Sequence, residues 1–299
     1  MTFSPFHSFH TRRLASRMSE IERVFALETM EKVWTKYVRP GLRDQEVPNL
    51  HDYNDIHWDR KALFIRLRTA LCSGSYAPQR STPIRVEKKL GVTRTLVLPV
   101  VDDCVILQCI VEEILPTALK RQPSKNSFFS RSHGFAQARF SFEQDYIWFR
   151  QWRKFSNIRL EFTSGHEYIC VTDIANYFDN IEYAHLRNII SSLHSIGEVT
   201  LDILFSVLDR ISWRPDYLPS PNRSLPQVNF DAPRLLSHVY LYEVDAFLKK
   251  VTGDRFVRWV DDITITARTV SEGKGLLRDL DQLLLTRGLG RVDKEDSQI

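Results

Sequence analysis

Two adjacent acids interrupt an apolar stretch near the end of the chain. Residues 255–260 and 263–266 are strand-like runs, and only Asp261 and Asp262 separate them. The pattern predicts a β-hairpin with both acids in its turn. Hairpin turns favour Asn-Gly or Asp-Gly, and neighbouring carboxylates repel each other, so the pair lowers local stability unless a cation binds. We therefore expect a divalent metal ion at this turn.

A third acid follows another predicted strand. Residues 168–172 are a short apolar run that ends at Asp173, although an aspartate in this position is most often only a turn residue. From residue 168 onward the order is strand, helix, helix, hairpin, helix and a last strand. This order predicts an α+β fold with a β-α-β-β-α-β sheet and helices on one face. If the strand of Asp173 lies beside the hairpin, three carboxylates converge at one sheet edge.

The remaining periodicity predicts mainly helices. One long helix begins at Asp231, with Pro233 in its first turn, and continues through Leu248. A helix over residues 102–115 is predicted to stop at Pro116. Residues 116–165 show no clear period. Further segments are predicted as helices at 20–37, 61–72, 183–193 and 276–284, and as a hairpin over 82–98 with a basic tip at 88–91.

Composition limits the class of protein. The chain has 299 residues, 43% of them hydrophobic and 26% charged, which is enough for a substantial core. Its formal charge of +4 permits a nucleic-acid partner without requiring one. The four cysteines lack the spacing of a zinc site or a disulfide framework. No apolar stretch is long enough to cross a bilayer and the N-terminus lacks a secretory signal, so we expect a cytoplasmic protein without a membrane partner.

Two segments resemble reverse transcriptases. Residues 171–181, Val-Thr-Asp-Ile-Ala-Asn-Tyr-Phe-Asp-Asn-Ile, resemble the first palm motif of that family, and residues 259–262, Trp-Val-Asp-Asp, resemble its Tyr-x-Asp-Asp box. The similarity is to divergent bacterial members of the defence-associated, abortive-infection, retron and group II intron types. It implies that Asp173, Asp261 and Asp262 are catalytic. It also implies that Asp173, Ile174, Asp261 and Asp262 bind two Mg²⁺ ions, with Mn²⁺ as an alternative.

The resemblance extends to residues that would bind substrate. Residues 85–94 look like the fingers hairpin, so Lys88, Lys89 and Arg94 would neutralise an incoming triphosphate; the alternative is a solvated basic turn. Phe178 would be a steric gate that excludes a ribose 2′-hydroxyl, or else a core residue beside Tyr177. The resemblance places Gln227 against the nascent base pair or the template; an ordinary loop amide is the alternative.

Several positions depart from the family pattern. Val228 and Ala232 stand where a Gly and a Ser are usual, and the segment Ser-His-Gly-Phe at 132–135, with Arg139, matches only weakly. Residues 292–299 resemble the last palm motif, but Asp296 occupies the place of a Lys that would protonate the pyrophosphate. This leaves Lys294, two residues earlier, as the candidate for that role. No sequence for a helical thumb follows, so we expect either a fragment or a partner that supplies this surface.

The resemblance implies a right-hand polymerase. Residues 1–80 would be an N-terminal helical extension, 81–165 the fingers and 166–299 the palm. The implied reaction adds deoxynucleotides to a 3′ end on an RNA template, which could be a dedicated noncoding RNA, with a DNA primer or product and dNTPs. A role in bacterial antiphage defence follows from the same resemblance. The alternatives are a non-catalytic RNA-binding or assembly subunit, a template-independent or protein-primed DNA polymerase, and an RNA-directed RNA polymerase.

Overall fold

The computed structural model describes two compact units. The described ranges are 5–89, 91–131, 143–165, 168–193, 196–214 and 222–290, without the side chains of 5–13, 88, 89, 92 and 143–147. The first unit contains the described residues up to 113, those from 196 to 213, and 226–230; the second contains the others. Within these ranges, no helix combines the length and the apolar character needed to cross a membrane.

Helices dominate both units. The helices are α1 (Pro5–Val24), α2 (Leu27–Val33), α3 (Arg39–Arg43), α4 (Asn54–Ser73), α5 (Val101–Lys120), α6 (Glu143–Gly165), α7 (Tyr183–Leu193), α8 (Glu198–Ile211), α9 (Asp231–Tyr240), α10 (Tyr242–Thr252) and α11 (Val270–Leu285). The strands are β1 (Thr82–Lys89), β2 (Val92–Leu98), β3 (Ser127–Phe128), β4 (Tyr168–Thr172), β5 (Phe256–Trp259) and β6 (Asp262–Ala267). A π-helical turn covers Trp34–Val38 and a 3₁₀ turn covers Phe178–Asn180.

The predicted N-terminal hairpin is present in the first unit. Strands β1 and β2 pair antiparallel, with Val86 opposite Arg94. Gly91 at the tip has φ +78°, a left-handed conformation that glycine adopts without steric cost. At the end of β2 away from this tip, the backbone N–H of Val97 donates a hydrogen bond to the carbonyl of Gln227 at 3.2 Å. Gln227 therefore lies against β2.

Helix α5 does not stop at the proline that was predicted to end it. Pro116 lies inside the helix, which continues to Lys120. A proline removes one backbone hydrogen bond, and here the buried side chains of Leu115 and Ala118 keep the last turns packed. The Tyr242 hydroxyl also donates to the Ala118 carbonyl at 2.9 Å. Tertiary packing therefore outweighs the cost of the proline.

The second unit is built on a four-stranded sheet in the order β3-β5-β6-β4. Strands β5 and β6 form the predicted antiparallel hairpin, and β4 pairs antiparallel with β6. The strand of Asp173 thus lies beside the hairpin, as expected from the sequence. Strand β3 runs parallel to β5 at the other edge. Strand β3 is too short to leave a periodic signal. The end of the chain, where the last strand is predicted, lies outside the described residues from 291 onward.

Helices cover both faces of this sheet, so the prediction of helices on one face is wrong. Arg258 of β5 donates to Asp245 of α10, which places α10 on one face. The next residue back, Val257, packs with Phe155 of α6, and successive strand residues point to opposite faces. Both sides of the sheet carry apolar or buried side chains, so each side is packed against helices.

The long helix predicted from Asp231 to Leu248 is two helices. Helix α9 ends at Tyr240 and α10 begins at Tyr242, with Leu241 at φ −93° and ψ 10° between them. Apolar spacing alone could not reveal the break, because residues on both sides are buried at helical spacing. At the start of α9, the buried Asp231 carboxylate accepts hydrogen bonds from Ser130 at 2.5 Å and Arg131 at 2.8 Å.

Candidate active site

The turn between β5 and β6 is shifted by one residue from the prediction. Trp259 pairs with Asp262, so the two turn residues are Val260 and Asp261, and Asp262 is the first residue of β6. Val260 has φ +53°, which is rare and costly for a β-branched residue. Its N–H donates to the Phe128 carbonyl at 3.1 Å, and its carbonyl accepts from Arg258 at 2.5 Å. These two bonds hold the turn in a strained conformation.

Asp173 and Asp261 meet at the end of the sheet. Thr172 is opposite Ile263 in the β4–β6 ladder, so Asp173 follows directly beside the hairpin turn. The Ile174 N–H donates to Oδ1 of Asp173 at 3.0 Å and fixes that carboxylate. The carboxyl group of Asp261 lies close enough to that of Asp173 for the two to interact directly. Two carboxylates placed side by side repel each other, so the fold penalises the ionised form of Asp261.

The electrostatics agree with this geometry. Burial and the Asp173 carboxylate raise the pKa of Asp261 to about 7. Burial and Asp173 also raise the pKa of Asp262, while Arg159 of α6 acts in the opposite direction. The three acids are therefore mutually repulsive at neutral pH. This is the electrostatic condition that a bound cation relieves.

The donor set fits magnesium held by few protein ligands. Among the described residues, no group of three or more His, Cys, Asp or Glu could hold a metal ion. Asp173 and Asp261 nevertheless offer two hard oxygen ligands side by side. Mg²⁺ is commonly held by one or two carboxylates, with substrate phosphates and water completing its octahedron. The pair fits that mode of binding, and Asp262 is the more exposed third acid.

Phe178 lies in the same unit as the acids and is not a core residue. Tyr177 is buried and donates its hydroxyl hydrogen to the Ser237 carbonyl, whereas Phe178 is only half-buried. The two rings are 5.7 Å apart in an edge-on arrangement. The carbonyl of Phe178 accepts from the Leu225 N–H at 2.8 Å, which fixes its backbone. An aromatic ring is therefore held firmly and partly open to solvent five positions after Asp173.

The other predicted substrate-binding residues belong to the first unit. Arg94 is exposed on β2 and Gln227 is half-buried beside the same strand. Lys88 and Lys89 lie in β1, but their side chains are outside the described part of the structure. The weaker motif matches at 132–135, 139 and 292–299, including Lys294, also lie outside the described residues. Their roles stay predictions.

An aromatic cluster beside the acids escaped the sequence analysis. Trp259, one residue before the turn, contacts Trp152 edge-on at 5.0 Å and Phe155 at 5.8 Å. Both partners belong to α6, in the region where no periodicity was recognised. The signal was the spacing of Trp148, Trp152, Phe155 and Arg159, which lie on one side of a helix.

Comparison with known proteins gives a likeness of fold. No protein-family model and no curated protein matches the chain. The telomerase from Candida albicans, solved in complex with a TWJ fragment of telomeric RNA, aligns with a TM-score of 0.50 and 12% identity, covering 84% of this chain and 47% of that one. The fold is similar to that of telomerase.

Two telomerase structures from Candida tropicalis align less closely. The apo enzyme truncated from the C-terminal domain gives a TM-score of 0.48 and 11% identity over 80% of this chain and 55% of that chain. The untruncated apo enzyme gives a TM-score of 0.48 and 11% identity over 81% of this chain and 49% of that chain. The chain thus spans about half the length of the telomerases that it resembles. Telomerase is a reverse transcriptase, so the likeness is to a reverse-transcriptase fold and not to the bacterial defence or retron type in particular.

Proposed function

We propose that this chain is an RNA-directed DNA polymerase that adds deoxynucleotides to a 3′ end by two-metal nucleotidyl transfer. The observation that carries the proposal is the convergence of the Asp173 and Asp261 carboxyl groups at the end of the sheet. A structural pair of acids without a cation gains nothing from this arrangement, because burial and mutual repulsion both penalise it. The reverse-transcriptase likeness of the fold supports the same assignment.

The chain's own residues would prepare a metal site. Asp173 is oriented by the Ile174 N–H, and Asp261 is presented by the strained turn at Val260. Asp173 and Asp261 would hold two Mg²⁺ ions, with Ile174 and Asp262 as the further ligands expected from the sequence. Bound there, the two ions would supply activation of the attacking hydroxyl and neutralisation of the leaving pyrophosphate. Phe178 would restrict the sugar to deoxyribose.

The finer parts of the function follow from sequence resemblance alone. They are the use of an RNA template, the contacts of Lys88, Lys89, Arg94 and Gln227 with nucleotide or template, and a role in antiphage defence. Each of these proposals depends on the proposal that the acids are catalytic. A non-catalytic RNA-binding protein with the same fold is the competing function, and the experiment below separates the two.

The test is primer extension by the purified chain on an RNA template with Mg²⁺ and dNTPs. We expect incorporation by the unsubstituted protein and a loss of at least about a hundredfold in Asp261→Asn, which keeps the shape of the side chain and removes its charge. Asp279→Asn, on the exposed surface of α11, is the matched control and should keep full activity. Equal incorporation by both variants, or none by the unsubstituted chain with any divalent metal, would refute the proposal.

A further inference from the structure

The exposed side of α6 carries large aromatic rings. Trp148, Phe149 and Trp152 are 45%, 48% and 37% exposed, although side chains of this size are usually buried in soluble proteins. The two indole rings are nearly parallel, at 5°, with centroids 6.4 Å apart. The edge-on contact of Trp152 with Trp259 fixes the orientation of this ring pair. Flat rings held parallel and open to solvent are a surface on which planar groups can stack.

The same helix is rich in positive charge. Between Trp148 and Gly165, α6 contains four basic residues and one acid, Glu161, a net charge of +3. Arg153 lies over the Phe149 ring at 5.6 Å, so a cation and an aromatic face are presented together. Arginine beside an exposed ring also stacks on bases and pairs with phosphates. The partner of this surface should therefore be both planar and anionic.

A cleft beside α6 adds a second, independent observation. The cleft has a volume of about 650 Å³, and its described lining contains Lys120, Lys125 and Lys154 but no acid. Ser127 also lines it, and although this residue is only 3% exposed, its hydroxyl has no hydrogen-bond partner. A buried hydroxyl without a partner costs free energy unless a ligand or water satisfies it. Three lysines that line the same cleft as Ser127 form a site for phosphate oxygens.

We propose that the exposed face of α6 and the lysine-lined cleft along the same helix bind single-stranded nucleic acid. Bases stack on Trp148, Phe149 and Trp152, and backbone phosphates are held by the lysines of the cleft. Stacking rings combined with a cationic groove are the arrangement used for single strands, whereas a duplex hides the faces of its bases. A protein partner would use the aromatic rings but would leave the acid-free cleft unexplained.

The inference deepens the proposed polymerase function, because the aromatic face adjoins Trp259 and hence the Asp261 turn. Its test does not depend on catalysis. Binding of fluorescent oligothymidylate and oligouridylate, each of about 12 nucleotides, is measured by anisotropy in EDTA without nucleotide. If the unsubstituted chain binds these oligonucleotides but incorporates no deoxynucleotide, the polymerase proposal fails and the binding proposal stands. If the chain incorporates deoxynucleotides but does not bind through this face, the binding proposal fails and the polymerase proposal stands.

Two sets of variants separate the stacking from the phosphate contacts. We expect Trp148→Ala with Phe149→Ala to weaken binding at least about tenfold, since stacking contributes roughly 1–3 kcal/mol per base. Trp58→Ala is the matched control, because this tryptophan is 83% exposed on α4. Trp152→Phe keeps an aromatic ring at a position that contacts the core, and should retain most of the affinity. Far-UV circular dichroism verifies folding.

The lysines of the cleft should determine how strongly the binding affinity depends on salt concentration. Replacing Lys120 and Lys125 by Gln should reduce the slope of log affinity against log salt by about 1.4, at about 0.7 per lost phosphate contact. Lys250→Gln, exposed on α10, is the control and should leave the slope unchanged. Binding by the aromatic variant within about twofold of the unsubstituted protein, or equal competition by a blunt duplex, would overturn the proposal. Preference between the thymidylate and uridylate probes identifies whether the strand is DNA or RNA.

Discussion

Arg258 and Asp245 form a buried, doubly hydrogen-bonded ion pair directly beneath the candidate active site. The two side chains are 0% exposed, and Nε and Nη2 of Arg258 lie 2.7 and 2.6 Å from the carboxylate oxygens of Asp245. The same guanidinium donates to the Val260 carbonyl at 2.5 Å. One side chain therefore joins α10 to the turn that carries Asp261.

Breaking this pair should be costly. We expect Asp245→Asn to lower the free energy of unfolding by about 3 kcal/mol or more, because it leaves a buried guanidinium without its counter-charge. Urea denaturation measures the loss. The double replacement of Arg258 by Met and Asp245 by Leu should recover most of it, since it leaves no buried charge. A double variant no more stable than the single one would contradict this account.

The carboxyl pair should lower the free energy of unfolding of the metal-free protein. Without metal at pH 8, the free energy of unfolding of Asp261→Asn should exceed that of the unsubstituted chain by about 4 kcal/mol, because the pKa of Asp261 is raised from 3.8 to about 7 and each unit corresponds to about 1.4 kcal/mol. Burial and Asp173 raise the pKa of Asp261 to about 7, so its contribution to stability is lost as pH rises through that value. The advantage of the variant should therefore be smaller at pH 5. Chemical denaturation at pH 5 and pH 8 measures the difference between the two proteins.

The strained turn gives a separate prediction. Val260→Gly should raise the free energy of unfolding by about 1 kcal/mol, because glycine adopts the left-handed conformation without a clash and this gain exceeds its entropic cost. Val260→Ala keeps the disfavoured φ and should not be stabilising. Thermal unfolding in EDTA compares the two variants. A lower melting temperature for glycine than for alanine would show that this turn is not strained.

The sugar preference should depend on Phe178. Replacing it by Ala removes the ring proposed to collide with a 2′-hydroxyl, and we expect incorporation of ribonucleotides relative to deoxynucleotides to rise at least about tenfold. Phe205, half-buried on α8 in the other unit, provides the matched Phe→Ala control. Competition between paired rNTP and dNTP substrates measures the ratio. An unchanged ratio in Phe178→Ala would refute the gate.

Acid should destabilise the protein through His238. This buried ring stacks on Phe129 at 4.6 Å, contacts Tyr242 edge-on, and lies 3.4 Å from Arg258 and 3.3 Å from the Gln122 oxygen. Burial and then Arg258 hold the pKa of His238 well below its usual value. Its contribution to stability is complete above the unfolded pKa, about 6.5, and is lost as pH falls below it. His238→Gln should flatten the stability profile from pH 7 to pH 5 in chemical denaturation; an unchanged slope would be contrary evidence.

The sequence predicted those parts of the site whose determinants are local. Asp173 at a strand end and the acid pair between two apolar runs could be recognised because strand periodicity and turn preference act over a few residues. The exact turn was missed by one position, because the positive φ at Val260 is stabilised by the Phe128 carbonyl, which belongs to a distant segment, and by the Arg258 side chain, which Asp245 of α10 holds in place. Backbone strain of this kind is invisible in a local pattern.

Tertiary contacts explain the other differences. Helix α5 passes through Pro116 because its last turns are buried, and α6 was overlooked because its aromatic residues combine exposed and buried positions. An exposed tryptophan and a core phenylalanine look alike in a hydropathy pattern. Only the structure distinguishes them, because it shows that Trp259 packs against one side of α6 and that solvent contacts the other side.

The pairing of Trp259 with Asp262 has a consequence for how this hairpin can vary. Strand β6 is buried from Ile263 to Ala267, with isoleucines and threonines alternating between a layer of α10 and α11 and a layer that includes α6. Inserting or deleting a single residue in the turn would send each isoleucine to the side now occupied by a threonine. The length of this turn is therefore fixed by the packing of the strand behind it.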